Sequence, residues 1–135
     1  MPEQHLRPEF TKQLAARLLA GESINLIGAH GQGRRRTLQD LRSILPAKLS
    51  VHQLDLQRDS VNLGEWLTQF INITSPTLLI LHNFHCLSEP DIFKQLNHLN
   101  SNKYLSCLYV SEEVLTELSL DAENLQLPAL EAGKL

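Results

Sequence analysis

The stretch Ile24-Asn25-Leu26-Ile27-Gly28-Ala29-His30-Gly31-Gln32-Gly33-Arg34-Arg35-Arg36-Thr37-Leu38 decides the fold of this chain. Ile24 to Ile27 is short and apolar and runs straight into a glycine cluster, the pattern of a strand entering a loop. From Arg34 the apolar residues Leu38, Leu41 and Leu45 fall on one helical face, and Pro46 stops that helix. A strand, a glycine-rich turn and a helix therefore follow one another without a linker.

The same alternation continues on both sides. Pro8 to Ala20 carries Phe10, Leu14, Leu18 and Leu19 at helical spacing, with Gly21 as the stop. Leu49 to Leu56 alternates as a strand with one apolar face. Ser60 is expected to cap a helix running to about Asn72, with Leu63, Trp66, Leu67 and Phe70 inward. Thr77 to Leu81 is the most apolar run and predicts a central strand covered on both faces. Ser88 to Leu99 reads as a helix with Pro90 in its first turn, and Tyr104 to Val110 as a strand. Ser111 is expected to cap a short helix over Glu112 to Leu118, and Asn124 to Leu127 closes the series as a fifth strand. Strands alternating with helices predict the α/β class: a three-layer αβα sandwich around a five-stranded parallel sheet. The 135 residues are expected to form a single domain over 1–135.

Composition narrows the function classes. With 42% hydrophobic and 20% charged residues and a mean hydropathy of -0.17, the chain is neither a disordered tail nor a disulfide scaffold. Its longest fully apolar run, Leu78 to Leu81, falls far short of the ~20 residues of a membrane span, and Met1 to His5 has no apolar signal region. Cys86 and Cys107 sit among apolar neighbours, which predicts reduced thiols and a cytoplasmic location. The net charge of -3 divides unevenly: residues 1–58 hold nine basic and five acidic side chains, residues 59–135 three and ten. An acidic second half and only 5% aromatics argue against nucleic acid as the main partner, leaving an accessory nucleic-acid role as a third, weaker reading.

The glycine turn carries the candidate site. Gly28 and Gly33 occupy both glycine positions of the pattern G-x-x-x-x-G-K-[ST], with Gly31 between them. Glycines let backbone N–H groups close around phosphate oxygens, and the following helix start adds partial positive charge. Arg34 stands where that pattern has Lys, and Arg35 where it has the Mg²⁺-binding hydroxyl. An arginine contacts phosphate through a planar fork but offers no oxygen to a metal. Gly28, Gly31, Gly33, Arg34, Arg35 and Arg36 are thus the candidate anion-binding residues, for ATP or ADP held weakly and without metal.

In order and spacing these segments resemble the AAA+/STAND branch of P-loop ATPases, nearly from Phe10 to Leu130. Ile27 to Leu38 looks like the Walker A segment, and Leu78-Leu79-Ile80-Leu81-His82-Asn83-Phe84-His85 like the Walker B strand. Leu108-Tyr109-Val110-Ser111 resembles the sensor-1 strand, and Leu125 to Leu130 the strand leading to a helical lid. The resemblance implies the strand order 5-1-4-3-2. It also implies that His82 replaces the Asp that holds Mg²⁺ and Asn83 the Glu that activates water. A chain ending at Leu135 is expected to lack the lid, and Arg58 is a candidate arginine finger. Phosphoryl transfer relies on metal, Lys and a water-orienting group, so hydrolysis is not expected and no catalytic residue is assigned.

His82-x-x-His85-Cys86 has metal-binding residue types but no second pair, whereas a structural zinc site takes four ligands, so no metal is expected. The function expected is a non-catalytic P-loop domain, a pseudo-ATPase serving as a regulatory or assembly module with a protein partner or with itself. The alternative is a slow ATP-binding NTPase that needs groups supplied by a partner.

Overall fold

The computed structural model describes residues 7–28, 34–56, 62–84, 90–112 and 123–127. In chain order its elements are α1 (Pro8–Leu19), β1 (Ile24–Ile27), α2 (Arg34–Ile44), β2 (Ser50–Asp55) and α3 (Leu63–Thr68). They continue as β3 (Thr77–His82), α4 (Pro90–Asn100), β4 (Leu105–Ser111) and β5 (Glu123–Gln126). All strand pairs are parallel, and the order across the sheet is β2-β3-β4-β1-β5. Read from the other edge this is 5-1-4-3-2, the order the resemblance implies.

Alternation along the strands divides the core into two. Ile24 and Leu26 of β1, Leu78 and Ile80 of β3, and Leu108 and Val110 of β4 share one face with Leu14 and Leu18 of α1 and Leu38 and Leu41 of α2. The opposite face carries Leu79, Leu81, Cys107 and Tyr109 beneath α3 and α4, through Leu67, Phe70, Phe93 and Leu96. Two covered faces make three layers, and they explain why β3 and β4 read as nearly unbroken apolar runs. β2 differs: it is an edge strand, and only Leu54 is fully buried.

Element ends follow local chemistry. Gly21 takes φ +92, its N–H bonds the Leu18 carbonyl, and the Glu22 N–H reaches Arg17. That double bond across a left-handed residue is a Schellman stop, and glycine adopts it without a Cβ clash. α3 departs from expectation. Its cap is Asn62, whose Oδ1 accepts the Glu65 N–H at 3.1 Å, and after Thr68 the chain continues in tight turns through residue 72. Asn is as good a cap as Ser, and short i→i+3 bonds replace the last helical turns. β4 runs one residue further than expected, to Ser111. Ser60, Ser88 and the helix expected over Glu112 to Leu118 lie, but for Glu112, outside the described residues.

Candidate functional site

Because every strand is parallel, the ends of β1, β2, β3 and β4 meet at one edge of the sheet. β1 and β4 lie side by side there, while β1 connects toward one side of the sheet through β2 and β4 toward the other through β5. Open α/β sheets bind ligands at such a switch point.

Gly28 leaves β1 at this place. Its N–H bonds the Ser111 carbonyl at 3.0 Å, and the neighbouring Ile27 carbonyl accepts from Leu127 at 2.7 Å. A Cβ at Gly28 would lie 2.8 Å from Leu127 Cδ2, so close packing of β5's end is itself a reason for glycine here. Gly31 and Gly33 lie outside the described residues.

The three arginines do not converge. Arg34, 9% exposed, donates from Nη1 to the Gly28 carbonyl at 2.8 Å and so ties the start of α2 to the end of β1. Arg35 is exposed and lines a groove on the β2 side of α2. Arg36 donates from Nε to Asp40 Oδ1 one turn on, at 3.0 Å. Adjacent helical residues point about 100° apart, which is the physical reason.

Behind them stands a contact that periodicity does not show. Arg7, only 6% exposed, donates to the buried Thr37 hydroxyl at 2.9 Å and links the start of α1 to α2. Desolvation on burial lowers the Arg7 pKa from its ordinary value. Thr37, the first described hydroxyl after the glycine turn, is thereby engaged.

At the tip of β3, His82 Nε2 pairs with Gln53 Oε1 at 2.9 Å. Asn83 follows with φ +58, the left-handed region that Asn tolerates better than most residues. Its Nδ2 donates to Asp55 Oδ1 at 2.8 Å, and its Oδ1 is buried with no hydrogen-bond partner among the described residues. Asp55, on the neighbouring strand, thus brings a carboxylate to Asn83 that sequence spacing did not reveal. A second polar line crosses the sheet. Ser111 Oγ donates to Asn25 Oδ1 at 2.8 Å, and Asn25 Nδ2 to Asn124 Oδ1 at 2.8 Å. Ser111 and Asn25 are fully buried, so the polar tip of β4 is held inside the sheet.

Chemically this edge combines the Arg34 guanidinium at the start of α2 with the Asp55 carboxylate and the Asn83 amide at the ends of β2 and β3. The side chains that begin α2 do not fit a Mg²⁺-bound nucleotide, because guanidinium groups have no lone pair for a cation and Thr37 is turned to Arg7. Among the described residues no cluster of three or more His, Cys, Asp or Glu could hold a metal ion; His85 and Cys86 lie outside them. Arg58 also lies outside. Cys107 is a free, buried thiol, pushed up to about 12 by desolvation, with Tyr109 partly opposing the rise. Among the described residues no helix is long and apolar enough to cross a membrane.

No protein-family model matches the chain, and no curated protein matches it. Solved structures do. The Holliday junction branch migration motor RuvB of Thermotoga maritima superposes with a TM-score of 0.56 at 14% identity, over 92% of this chain and 49% of that one. The chain thus spans about half the length of that structure. At this identity the likeness concerns the fold, which is the P-loop NTPase-like arrangement of a five-stranded parallel sheet.

Proposed function

We propose that the chain is a non-catalytic P-loop domain, a pseudo-ATPase related in form to AAA+ and STAND modules, that serves assembly or regulation in the cytoplasm. The observation that carries this reading is the bond from Arg34 to the Gly28 carbonyl. At the position where the phosphate-loop pattern has a lysine, this chain has a guanidinium that braces the loop's own backbone. Three further features support it: Arg35 directed elsewhere, Asn83 at the strand tip, and Thr37 engaged by Arg7. The proposed ligand is a nucleotide or another anion, held weakly and without metal by Gly28, Gly31, Gly33 and Arg34; Arg35 and Arg36, expected from the sequence to join them, are turned to the groove and to Asp40.

RuvB is a motor, and likeness to it raises the opposite reading, a slow NTPase completed by a partner. The carboxylate of Asp55 beside Asn83 favours that second reading. Phosphate release from ATP separates the two. We expect wild-type release equal to the buffer blank with and without Mg²⁺; release that Arg34→Ala and Asp55→Asn abolish would establish the NTPase instead.

A further inference from the structure

Arginines rarely stand idle in this molecule. Of the six described, Arg7 bonds Thr37, Arg17 pairs with Glu22 and Glu123, Arg34 bonds Gly28 and Arg36 pairs with Asp40. Arg35 and Arg42 alone have no hydrogen-bond or ion-pair partner among the described residues, and both line the same groove. The groove has a volume of about 530 Å³ and runs between α2 and the outer part of the sheet. Its helix wall carries Arg35, Gln39 and Arg42, and its sheet wall carries Gln53, Asp55 and His82.

The spacing on the helix wall is regular. Positions i, i+4 and i+7 share one face, so the two guanidinium stems leave α2 about 10 Å apart with an amide between them. Two long arginine side chains from such stems can close on a single ligand a few ångströms long. Gln53 Oε1 accepts from His82 Nε2–H, and Asp55 Oδ1 accepts from Asn83, so the sheet wall is a fixed polar floor. The groove starts at Arg35 in the first turn of α2 and runs away from the glycine turn toward Arg42. β1 lies three strands from β2 in the sheet, roughly 14 Å at the usual strand spacing.

We propose that this groove is a second anion site, which takes a small molecule bearing a diphosphate group. Arg35 and Arg42 bind the phosphate oxygens through charge-assisted N–H donors, and Gln39 and Gln53 orient the remainder. Asp55, the one carboxylate on the walls among the described residues, sits at the strand-end mouth, where it accepts from a ligand hydroxyl and keeps the phosphates toward Arg42. The volume suits a small ligand, since clefts for such ligands run to about 300–1,000 Å³. A long nucleic-acid strand fits poorly, because the basic stretch is only two helical turns and one end carries Asp55.

The test is an NMR titration of ¹⁵N-labelled protein with inorganic pyrophosphate in the presence of a chelator. Saturable shifts are expected at the amides of Gln39, Arg42 and Gln53, with pyrophosphate binding about tenfold tighter than orthophosphate. Arg42→Ala should weaken binding by about tenfold or more, whereas Arg34→Ala should leave the Gln53 shifts in place. Both arginines of the groove are exposed, so folding is not at stake in Arg42→Ala. Shifts confined to the flanks of the glycine turn, unchanged affinity in Arg42→Ala, or tighter binding of a single-stranded oligonucleotide than of pyrophosphate would overturn the proposal. Phosphate release from ATP does not enter this titration, so the groove stands or falls apart from the reading of the glycine turn.

Discussion

Gly28 does two things at once. It permits a backbone approach at the end of β1, and it leaves room for Leu127, which a methyl group would meet at 2.8 and 3.1 Å. Overpacking of this kind costs about 1–3 kcal/mol. We expect Gly28→Ala to destabilise by that amount in wild type and by clearly less in a Leu127→Ala background; denaturant unfolding of the four proteins of the cycle measures the difference. Equal costs in both backgrounds would mean that the glycine matters for the turn alone. Cys107 gives a second prediction. Its folded-state pKa is raised from 9.0 to about 12, so the native state keeps a proton that the unfolded chain loses above pH 9. The stabilisation is complete below pH 9 and is lost progressively as pH rises toward 12. Between pH 9 and 10 the unfolding free energy should fall by about 1 kcal/mol more in wild type than in Cys107→Ala. A pH slope shared by both proteins would assign the loss to other groups.

Secondary structure was largely legible from periodicity. β1 begins and ends where its four residues predict, and β3 lengthens the expected run only by His82. Local chemistry also marked the end of α1. Gly21→Ala should cost about 1 kcal/mol, since a Cβ is disfavoured at φ +92; urea unfolding that leaves the stability unchanged would contradict this cap. What the sequence did not reveal are pairings between elements far apart in the chain. Arg7 with Thr37, Asp55 with Asn83, and Asn25 with Ser111 and Asn124 join positions that no local period relates. The triple arginine is the opposite case. Helical geometry alone separates neighbours around the axis, so a run in the sequence disperses into a brace, a groove wall and an i,i+4 ion pair. The capping of α3 by Asn62 belongs with these, because several polar residues precede Leu63 and only the backbone path selects among them.

For the whole molecule, the parallel sheet brings the ends of its five strands to one side, and the charge is unequal between the two halves of the sequence. If assembly is head to tail, a basic half meets an acidic one, and salt should weaken that contact. Light scattering should then report a mass above 15.3 kDa at low ionic strength that falls toward the monomer as salt rises; a monomer at every salt and concentration would remove self-assembly from the account. The pseudo-ATPase reading depends above all on metal-free binding at the glycine turn. It is tested most directly by calorimetric titration of ATP and ADP, once with Mg²⁺ and once with chelator. We predict weak binding of the same strength in both conditions. Binding that requires Mg²⁺ would contradict the account.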